Sequence, residues 1–336
     1  MKVSSIEGMR ENSLFMRMHK AFPDHELYVK LEGLNTAGSI KLTTAVALID
    51  DLEKDGRLQP GGGVVESSSG SLGVALAAVC ARRGYSLTIV TDPNANDATV
   101  AHMKALGARV EVVNERDQSG GYLGTRLARI QQLQSLKNGP VWTNQYSNSA
   151  NSTAHSTLTY PAIVAELGDP DVIFVGAGTT GTLMGVIHGV AARGVRTEVY
   201  AIDSAGSVTF GGPPSTRHIP GLGASVRPPL FDRSLVPHQY YVSEEDAVRE
   251  CRRVAASEGY LPGGSTGTIL AGFRALSSTI PTGSRIVVVA PDLGERYLNT
   301  VYNDIWVNQK FGPAALDVDV SPMASSAIYD YEKINV

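Results

Sequence analysis

Short apolar segments typical of buried strands alternate along most of this sequence with longer segments typical of helices. The first series places strand-like runs at Glu26–Leu31 and at residues 63–66, with a helical pattern at 43–53 between them. A second series includes the nearly apolar runs at 172–175 and Arg285–Ala290. Strands separated by helices of this length form right-handed βαβ units, whose parallel sheets are covered by helices on both faces. The pattern therefore predicts an α/β fold with mostly parallel sheets.

The other elements follow from the same periodicity and from glycines placed to end helices. Further strands are predicted at residues 87–91, 109–113, 141–144 and 198–202. Further helices are predicted at residues 72–83, 96–106, 122–136, 152–167, 183–193, 245–258 and 268–277. Segment 204–237 is rich in Gly and Pro, and a long loop of this kind is usually functional, as a lid for example. Residues 312–336 lack periodicity and are predicted to form a peripheral or partly disordered tail.

Composition places the chain among globular proteins and excludes several partners. Its 336 residues, 43% hydrophobic and 18% charged, suit about two domains with their own cores. The 29 basic and 33 acidic residues give a net charge of −4, so we expect no nucleic-acid partner. Two cysteines, Cys80 and Cys251, suit a reducing compartment, and no apolar run reaches the roughly 20 residues of a membrane helix. We expect a cytoplasmic protein without membrane contact and, from the unpaired histidines, without a metal site.

A glycine- and threonine-rich loop follows the strand predicted at 172–175. Residues 176–182 (GAGTTGT) join that strand to a helix, so backbone N–H groups and the helix dipole would converge on an anion. The string also fits G-x-G-x-x-G, and Asp203 ends the next strand, about 20 residues on, where a nicotinamide dehydrogenase has its ribose-binding acid. Three threonine hydroxyls suit a terminal phosphate better than a pyrophosphate. A dehydrogenase stays an alternative on these residues alone.

Further polar loops of small residues join strand-like to helical segments. Residues 35–41 (NTAGSIK) place Lys41 at a helix entrance, where the dipole favours the neutral amine that attacks an aldehyde. Residues 66–73 (ESSSGSLG) offer hydroxyls and N–H groups that could clamp a carboxylate, although one serine would suffice as an N-cap. A similar loop at 262–268 (PGGSTGT) precedes another helix. Because open α/β sheets bind ligands at the carboxyl ends of their strands, we expect these loops to form one site.

Together the loops resemble those of the fold-type II pyridoxal-phosphate enzymes, the cysteine synthase and cystathionine β-synthase family. The resemblance covers about residues 34–302 and is close at 291–298 (PDLGERYL). It implies the tryptophan synthase β-like fold, with two three-layer αβα domains and mostly parallel sheets. A smaller, mobile domain over 45–150 would bind the substrate carboxylate, and a larger domain made of 1–44 and 151–311 would bind the cofactor. The resemblance also implies a homodimer.

The resemblance assigns roles to individual residues, of which Lys41 is the catalytic one. Lys41 would bind pyridoxal 5'-phosphate covalently and, once released, move a proton at the α-carbon of the substrate. The residues expected to bind the cofactor are Lys41, Ser71, Gly178, Thr179, Thr180, Gly181, Thr182 and Ser265. Those expected to bind an amino-acid substrate are Ser67, Ser68, Ser69, Gly70 and Gln145. The chain departs from the family at Leu42 and Thr43, where Asp-Arg is usual, and at Ser71, where an asparagine is usual.

Finer features resemble a siderophore-pathway branch of the family. Enzymes of that branch make N-(2-amino-2-carboxyethyl)-L-glutamate, a precursor of 2,3-diaminopropionate, from O-phospho-L-serine and L-glutamate. The segments that carry this resemblance are 120–126 (GGYLGTR), 144–146 (NQY), 203–211 (DSAGSVTFG), 220–225 (PGLGAS) and 263–268 (GGSTGT). The resemblance implies β-replacement on small amino-acid substrates.

A phosphate leaving group requires nearby positive charge. The candidate cations are Arg126, Arg217, His218 and Arg227. Two alternatives stay open beside the dehydrogenase. One is a cysteine synthase-like enzyme that uses O-acetyl- or O-phosphoserine with sulfide, and the other is a non-catalytic relative.

Overall fold

The computed structural model describes residues 3–11, 13–117, 120–317 and 328–329. Its strands are β1 (Phe15–Arg17), β2 (Glu26–Leu31), β3 (Gly63–Ser67), β4 (Ser86–Thr91), β5 (Arg109–Val112), β6 (Val141–Trp142), β7 (Val172–Gly176), β8 (Glu198–Ser204), β9 (His238–Val242), β10 (Arg285–Ala290) and β11 (Ile328–Tyr329). Its α-helices are α1 (Lys41–Lys54), α2 (Ser71–Arg83), α3 (Asp97–Ala105), α4 (Leu123–Gln134), α5 (Ala150–Ala154), α6 (Tyr160–Leu167), α7 (Gly181–Arg193), α8 (Glu244–Glu258), α9 (Gly264–Leu276) and α10 (Asp304–Phe311).

The strands form two sheets, as the alternating pattern predicts. The larger has seven strands in the order β1-β2-β10-β7-β8-β9-β11, and the smaller has four in the order β5-β4-β3-β6. Neighbouring strands pair in parallel, except for β1 with β2 and β11 with β9 at the two edges of the larger sheet. The predicted α/β fold with mostly parallel sheets is therefore confirmed. The smaller sheet lies inside the segment 45–150, whose bounds as a separate domain stay a prediction.

Both faces of the larger sheet are buried against helices. Along β10, Ile286 and Val288 pack into a core that contains Phe273 of α9, whereas Val287 and Val289 pack into a core built with α7. Successive side chains of a strand point to opposite faces. This double burial explains why β10 is apolar at almost every position.

The helix predicted at 268–277 begins earlier, at Gly264. The loop predicted at 262–268 is therefore wrong for most of its length, because its glycines serve close packing rather than chain reversal. A Cβ added at Gly267, for example, would overlap the Sγ of Cys251 on α8. Glycines that let two helices approach look the same in a sequence as glycines that form a turn.

Other predicted elements also need correction. The single helix predicted at 152–167 is interrupted by a π-helical turn, His155–Thr159, between α5 and α6. Apolar periodicity did not reveal β1, β9 or α10, which are short elements with partly exposed residues. Of the predicted tail, residues 312–317 and 328–329 are described, and the rest lies outside the described residues. Among the described residues, no helix is both long and apolar enough to cross a membrane.

A buried ion triad fixes α9 against α8. Glu250 is fully buried, and its carboxylate accepts hydrogen bonds from Arg253 Nη1 at 2.6 Å and from Arg274 Nε at 2.7 Å. Arg274 also donates to the carbonyl of Ala21 at 3.1 Å. The triad thereby holds the helix whose first turn carries Ser265.

Replacing Glu250 by glutamine should lower the free energy of unfolding by roughly 3 kcal/mol, because the buried Arg253 and the part-buried Arg274 lose the negative charge that pairs with them. The matched control is E245Q on the exposed side of the same helix, which should change stability by less than about 0.5 kcal/mol. Urea denaturation followed by circular dichroism measures both. Equal stabilities of the two variants would contradict the role given to Glu250.

Candidate active site

Loops from both sheets meet around Lys41, which begins helix α1. The loop before it is held by Asn35, whose side chain accepts from Ala37 N and donates to the carbonyls of Glu32 and Ser39, each at 2.9 Å. This local network explains why a polar turn of small residues stands here. It places the lysine beside the carboxyl end of β10, where Ile40 N donates to the carbonyl of Pro291.

Lys41 is half-buried, and the electrostatics of its amine suit a nucleophile. Burial lowers the pKa of Lys41 to about 8, and the negative charge of Asp292 opposes part of that shift. Within the described part of the chain, Lys41 forms no ion pair. A much larger fraction of the amine is therefore uncharged near neutral pH than for an exposed lysine.

Asp292 and Ser265 form a buried polar group on the far side of Lys41. The Ser265 hydroxyl donates to Asp292 Oδ1 at 3.5 Å, and the Tyr297 hydroxyl donates to Asp292 Oδ2 at 2.8 Å. Burial raises the pKa of Asp292 to about 6, while the Tyr297 hydrogen bond favours the charged carboxylate. The loop at Gly221 comes close to Ser265, since a Cβ added there would lie 3.3 Å from the serine. Ser265 is therefore buried between Asp292 and the loop at Gly221, and its predicted role in cofactor binding stays a prediction.

The serine loop divides into structural and available hydroxyls. Ser68 Oγ accepts from the N–H groups of Gly70 and Gly73 at 3.3 and 3.0 Å, so it caps α2. The hydroxyl of Ser67 is buried without a hydrogen-bond partner among the described residues, and Ser69 is exposed. Ser67 and Ser69 thus have hydroxyls without a structural role, whereas Ser68 caps the helix through its oxygen and keeps only its proton for a substrate.

Ser71 is engaged by a residue from the PDLGERYL segment. Arg296 Nη1 donates to Ser71 Oγ at 3.1 Å, and Arg296 Nη2 donates to the carbonyl of Ala37 at 2.5 Å. One guanidinium group thus joins the serine loop of the smaller sheet to the lysine loop of the larger sheet.

Glu66 positions Gln145, although the sequence analysis gave no role to this glutamate. Its buried carboxylate accepts from Trp142 Nε1 at 3.1 Å, from the Thr143 hydroxyl at 2.5 Å and from Gln145 N at 3.1 Å. Gln145 Nε2 in turn donates to the carbonyl of Ser67 at 3.0 Å. The sequence signal for this role is a glutamate near the end of the apolar strand β3.

The loop of residues 178–182 lies at the N-terminus of α7, where the helix dipole and free N–H groups favour an anion. Its glycines permit close packing: a Cβ at Gly178 would lie 2.7 Å from the carbonyl oxygen of Gly221. Thr180 has a φ of +64°, a left-handed conformation that is unusual for a β-branched residue. The Thr180 hydroxyl donates to the carbonyl of Thr179 at 2.7 Å, so the three threonine hydroxyls are not equivalent.

The candidate cations differ in how they are held. Arg217 donates to the carbonyl of Gly206, Arg227 donates to the carbonyl of Thr209, and the backbone N–H of His218 is bound by Glu244. These contacts stabilise the Gly/Pro-rich loop. The fourth candidate cation, Arg126, is held by an ion pair instead of by this loop.

Arg126 of α4 pairs with Asp92 at 3.2 Å in a nearly buried setting. Its Nε atom is buried without a hydrogen-bond partner among the residues that the structure describes. Burial raises the pKa of the Tyr146 hydroxyl, and the positive charge of Arg126 opposes part of that shift. Arg126 thus combines an ion-paired guanidinium with an unused donor, and its charge acts on Tyr146, the residue that follows Gln145.

Asp203 does not suit a ribose. It is fully buried, it accepts from Ser204 N at 2.8 Å, and burial raises its pKa to about 7. A ribose-binding acid must be accessible and charged. The G-x-G-x-x-G match therefore lacks the accessible acidic residue that would bind the ribose of a dinucleotide.

Comparison with known proteins adds a family and two related folds. The family described as "Pyridoxal-phosphate dependent enzyme" matches residues 15–292. The fold is similar to that of an O-ureido-L-serine-bound mutant of O-ureido-L-serine synthase, with a TM-score of 0.82 and 28% identity over 94% of this chain and 98% of that one. It is also similar to a hydrogen sulfide-producing enzyme from Fusobacterium nucleatum, with a TM-score of 0.82 and 27% identity over 89% of this chain and 99% of that one.

The hydroxyl of Thr180 should be dispensable for binding pyridoxal phosphate. We expect T180G to keep the dissociation constant within about twofold and to raise the free energy of unfolding by about 0.5 kcal/mol, because glycine avoids the left-handed strain. T180A is the matched control, since it removes the same hydroxyl but keeps the strained Cβ and should bring no such gain. Equilibrium dialysis and thermal unfolding measure the two quantities. A tenfold loss of affinity in T180G would show that this side chain binds the anion after all.

Proposed function

Because the chain belongs to the family of pyridoxal-phosphate dependent enzymes, we propose that it replaces the β-substituent of an activated L-serine. The observation that carries this proposal is the amine of Lys41, whose pKa burial lowers to about 8, at the end of a loop that Arg296 joins to the serine loop. The predicted enzyme class and the predicted use of pyridoxal phosphate are confirmed by the family match. The dehydrogenase alternative is wrong, because the same match covers the glycine-rich loop.

The residues present fit this cofactor. An unprotonated lysine amine can condense with its aldehyde, the N-terminus of α7 can hold its phosphate, and the weakly held Ser265 hydroxyl could bind the ring nitrogen. The partnerless hydroxyl of Ser67 leaves a donor for a bound amino acid. When bound, pyridoxal phosphate supplies an electron sink for negative charge at the α-carbon.

The protein's own groups supply binding and proton transfer. We infer that the backbone N–H groups of residues 67–71 and the Gln145 side chain hold the substrate carboxylate. Lys41 removes the α-proton as a base and later returns it. The pKa of about 8 suits both directions, because each protonation state is well populated near neutral pH.

The substrate pair that we propose is O-phospho-L-serine and L-glutamate. In this reaction the Cβ–O bond to phosphate breaks, a Cβ–N bond to the glutamate amine forms, and inorganic phosphate leaves with N-(2-amino-2-carboxyethyl)-L-glutamate as the product. Arg126 supports this choice, because an anionic leaving group and a dicarboxylic nucleophile both require a cation near the site. The similarity to O-ureido-L-serine synthase also favours a substituted serine as one partner.

A cysteine synthase-like reaction with sulfide is the second candidate. It is favoured by the similarity to a hydrogen sulfide-producing enzyme. A non-catalytic relative is disfavoured, because a desolvated lysine without an ion pair in the described residues would have no purpose there. A homodimer is part of the proposal and rests on the family resemblance alone.

The first prediction for this function concerns Lys41. The rate at which the full-length apoprotein takes up pyridoxal phosphate should rise about tenfold per pH unit below pH 8 and level off above it, because the neutral amine reacts. Stopped-flow absorbance measures the rate, and borohydride reduction with peptide mapping should find the cofactor on Lys41. D292N should shift the profile to lower pH, because Asp292 raises the pKa of Lys41. A label on a different side chain would overturn the proposed function.

The second prediction concerns the substrates. Mass spectrometry of products should show the glutamate adduct from O-phospho-L-serine, and R126Q should reduce its formation by at least about tenfold, since a hydrogen bond to a charged group contributes about 1.5–3 kcal/mol. R129Q is the matched control, because Arg129 lies on the same helix in a surface ion pair with Glu111. Turnover of O-acetyl-L-serine alone, with sulfide, would favour the cysteine synthase-like alternative.

A further inference from the structure

A buried hydrogen-bond network lies between helix α1 and the loop of residues 178–182. Its two central residues are Asn151 and His155, both without exposed surface. They contact Thr44 of α1 and the hydroxyls of Thr179 and Thr182, and these contacts range from 3.1 to 3.3 Å. The sequence analysis gave Asn151 and His155 no role, because they stand inside a segment with an ordinary helical pattern.

The orientation of the Asn151 amide is fixed by a backbone carbonyl. Asn151 Nδ2 lies 2.9 Å from the carbonyl oxygen of Gln145, which can only accept. The amide oxygen therefore faces Thr44, whose hydroxyl donates to it at 3.1 Å. The same Nδ2 lies 3.3 Å from Thr179 Oγ1, so Thr179 acts as an acceptor in this contact.

The tautomer of His155 follows from the orientation of Asn151. Because the Thr44 proton is given to Asn151, Thr44 Oγ1 can only accept from His155 Nε2 at 3.2 Å, so that nitrogen carries the proton. His155 Nδ1 is then the acceptor for the Thr159 hydroxyl at 2.8 Å. Burial and the nearby positive charges of Lys41 and Lys30 lower the pKa of His155 to about 3, so the ring carries a single proton at neutral pH.

The hydroxyl protons of Thr179 and Thr182 are thereby directed away from the network. His155 Nε2 also lies 3.2 Å from Thr182 Oγ1, so its one proton is shared in a bifurcated hydrogen bond that Thr44 and Thr182 both accept. Each of these two threonines accepts a hydrogen bond at its oxygen and keeps its own proton for another acceptor. Thr180 differs, because its proton is already given to a backbone carbonyl.

We propose that Asn151 and His155 are positioning residues that orient the hydroxyls of Thr179 and Thr182 as hydrogen-bond donors to the phosphate of the cofactor. The inference rests on the proposed function only in assigning that phosphate to residues 178–182. It requires a rigid scaffold, and the packing provides one. A Cβ at Gly181 would overlap the Asn151 side chain, and one at Gly185 would lie 2.5 Å from His155 Cβ, so α7 is seated directly on both residues.

The π-helical turn has a role in this arrangement. It carries His155 and Thr159 four positions apart, and their side chains hydrogen-bond to each other. Such turns recur at functional sites because they redirect side chains that a regular helix would place elsewhere. The π-helical turn thus supplies the Thr159 hydroxyl that binds His155 Nδ1 and so helps to fix the tautomer.

The test uses a pair of glutamine and asparagine replacements in the full-length protein. H155Q places an amide donor near the position of Nε2, whereas H155N places it near Nδ1 and leaves Thr182 without a donor. We expect H155N to weaken the binding of pyridoxal phosphate about tenfold and H155Q to keep it within about threefold. Binding of pyridoxal, which lacks the phosphate, should be unchanged within about twofold in both.

Two further variants separate positioning from a general structural effect. In a T182V background, H155N should cause less than about twofold additional loss, because the hydroxyl through which His155 acts is gone. T157A is the matched control on the same turn, since the Thr157 hydroxyl binds only backbone carbonyls, and it should bind both ligands like the wild type.

The outcomes distinguish this inference from the proposed function. Equal losses for pyridoxal and pyridoxal phosphate, equal affinities of H155Q and H155N, or additive effects of H155N and T182V would each overturn the positioning role while leaving the enzyme class intact. Absence of pyridoxal phosphate from Lys41 in the wild-type protein would overturn the proposed function as well.

Discussion

The desolvation of one amine is the constraint on which the site depends. Lys41 begins α1 in a half-buried position, and burial lowers its pKa to about 8. A lysine in water would be almost entirely cationic at neutral pH and unable to attack an aldehyde. Beside this position the Arg296 guanidinium joins the lysine loop to the serine loop. The fold thus produces reactivity by partly desolvating an amine that would be charged in water.

The glycines of the site act through contact more than through chain reversal. Gly181 and Gly267 lie in helices, and each has a neighbour in the space that a Cβ would take. This allows α7 to rest on Asn151 and lets α9 approach Cys251 of α8 closely. Close approach of helices near a ligand loop leaves no room for mobile side chains, which keeps donors in one orientation.

How far the sequence predicts this structure differs from element to element. The bounds of β2 and β10 are confirmed, because their apolar runs are flanked by clear breaks. The Lys41 loop could also be found, since small polar residues before a helix have few other uses. His155 could not be found, because a buried histidine in a helical pattern has the same local signal as one packed in a core. Its partners Thr44 and Thr182 are far from it in sequence, and only tertiary structure brings their hydroxyls together.

The balance of charge around Lys41 explains why its pKa falls no further. Asp292 is itself buried, and burial alone would favour its neutral acid. The hydrogen bond from Tyr297 at 2.8 Å and the positive charge of Arg296 favour the carboxylate, so it can oppose the desolvation of the lysine. The Ser265 contact, at 3.5 Å, is at the long limit for a hydrogen bond and holds that hydroxyl weakly. Asp292 is therefore held by Tyr297 and acts electrostatically on Lys41, while its contact with Ser265 adds little to holding it.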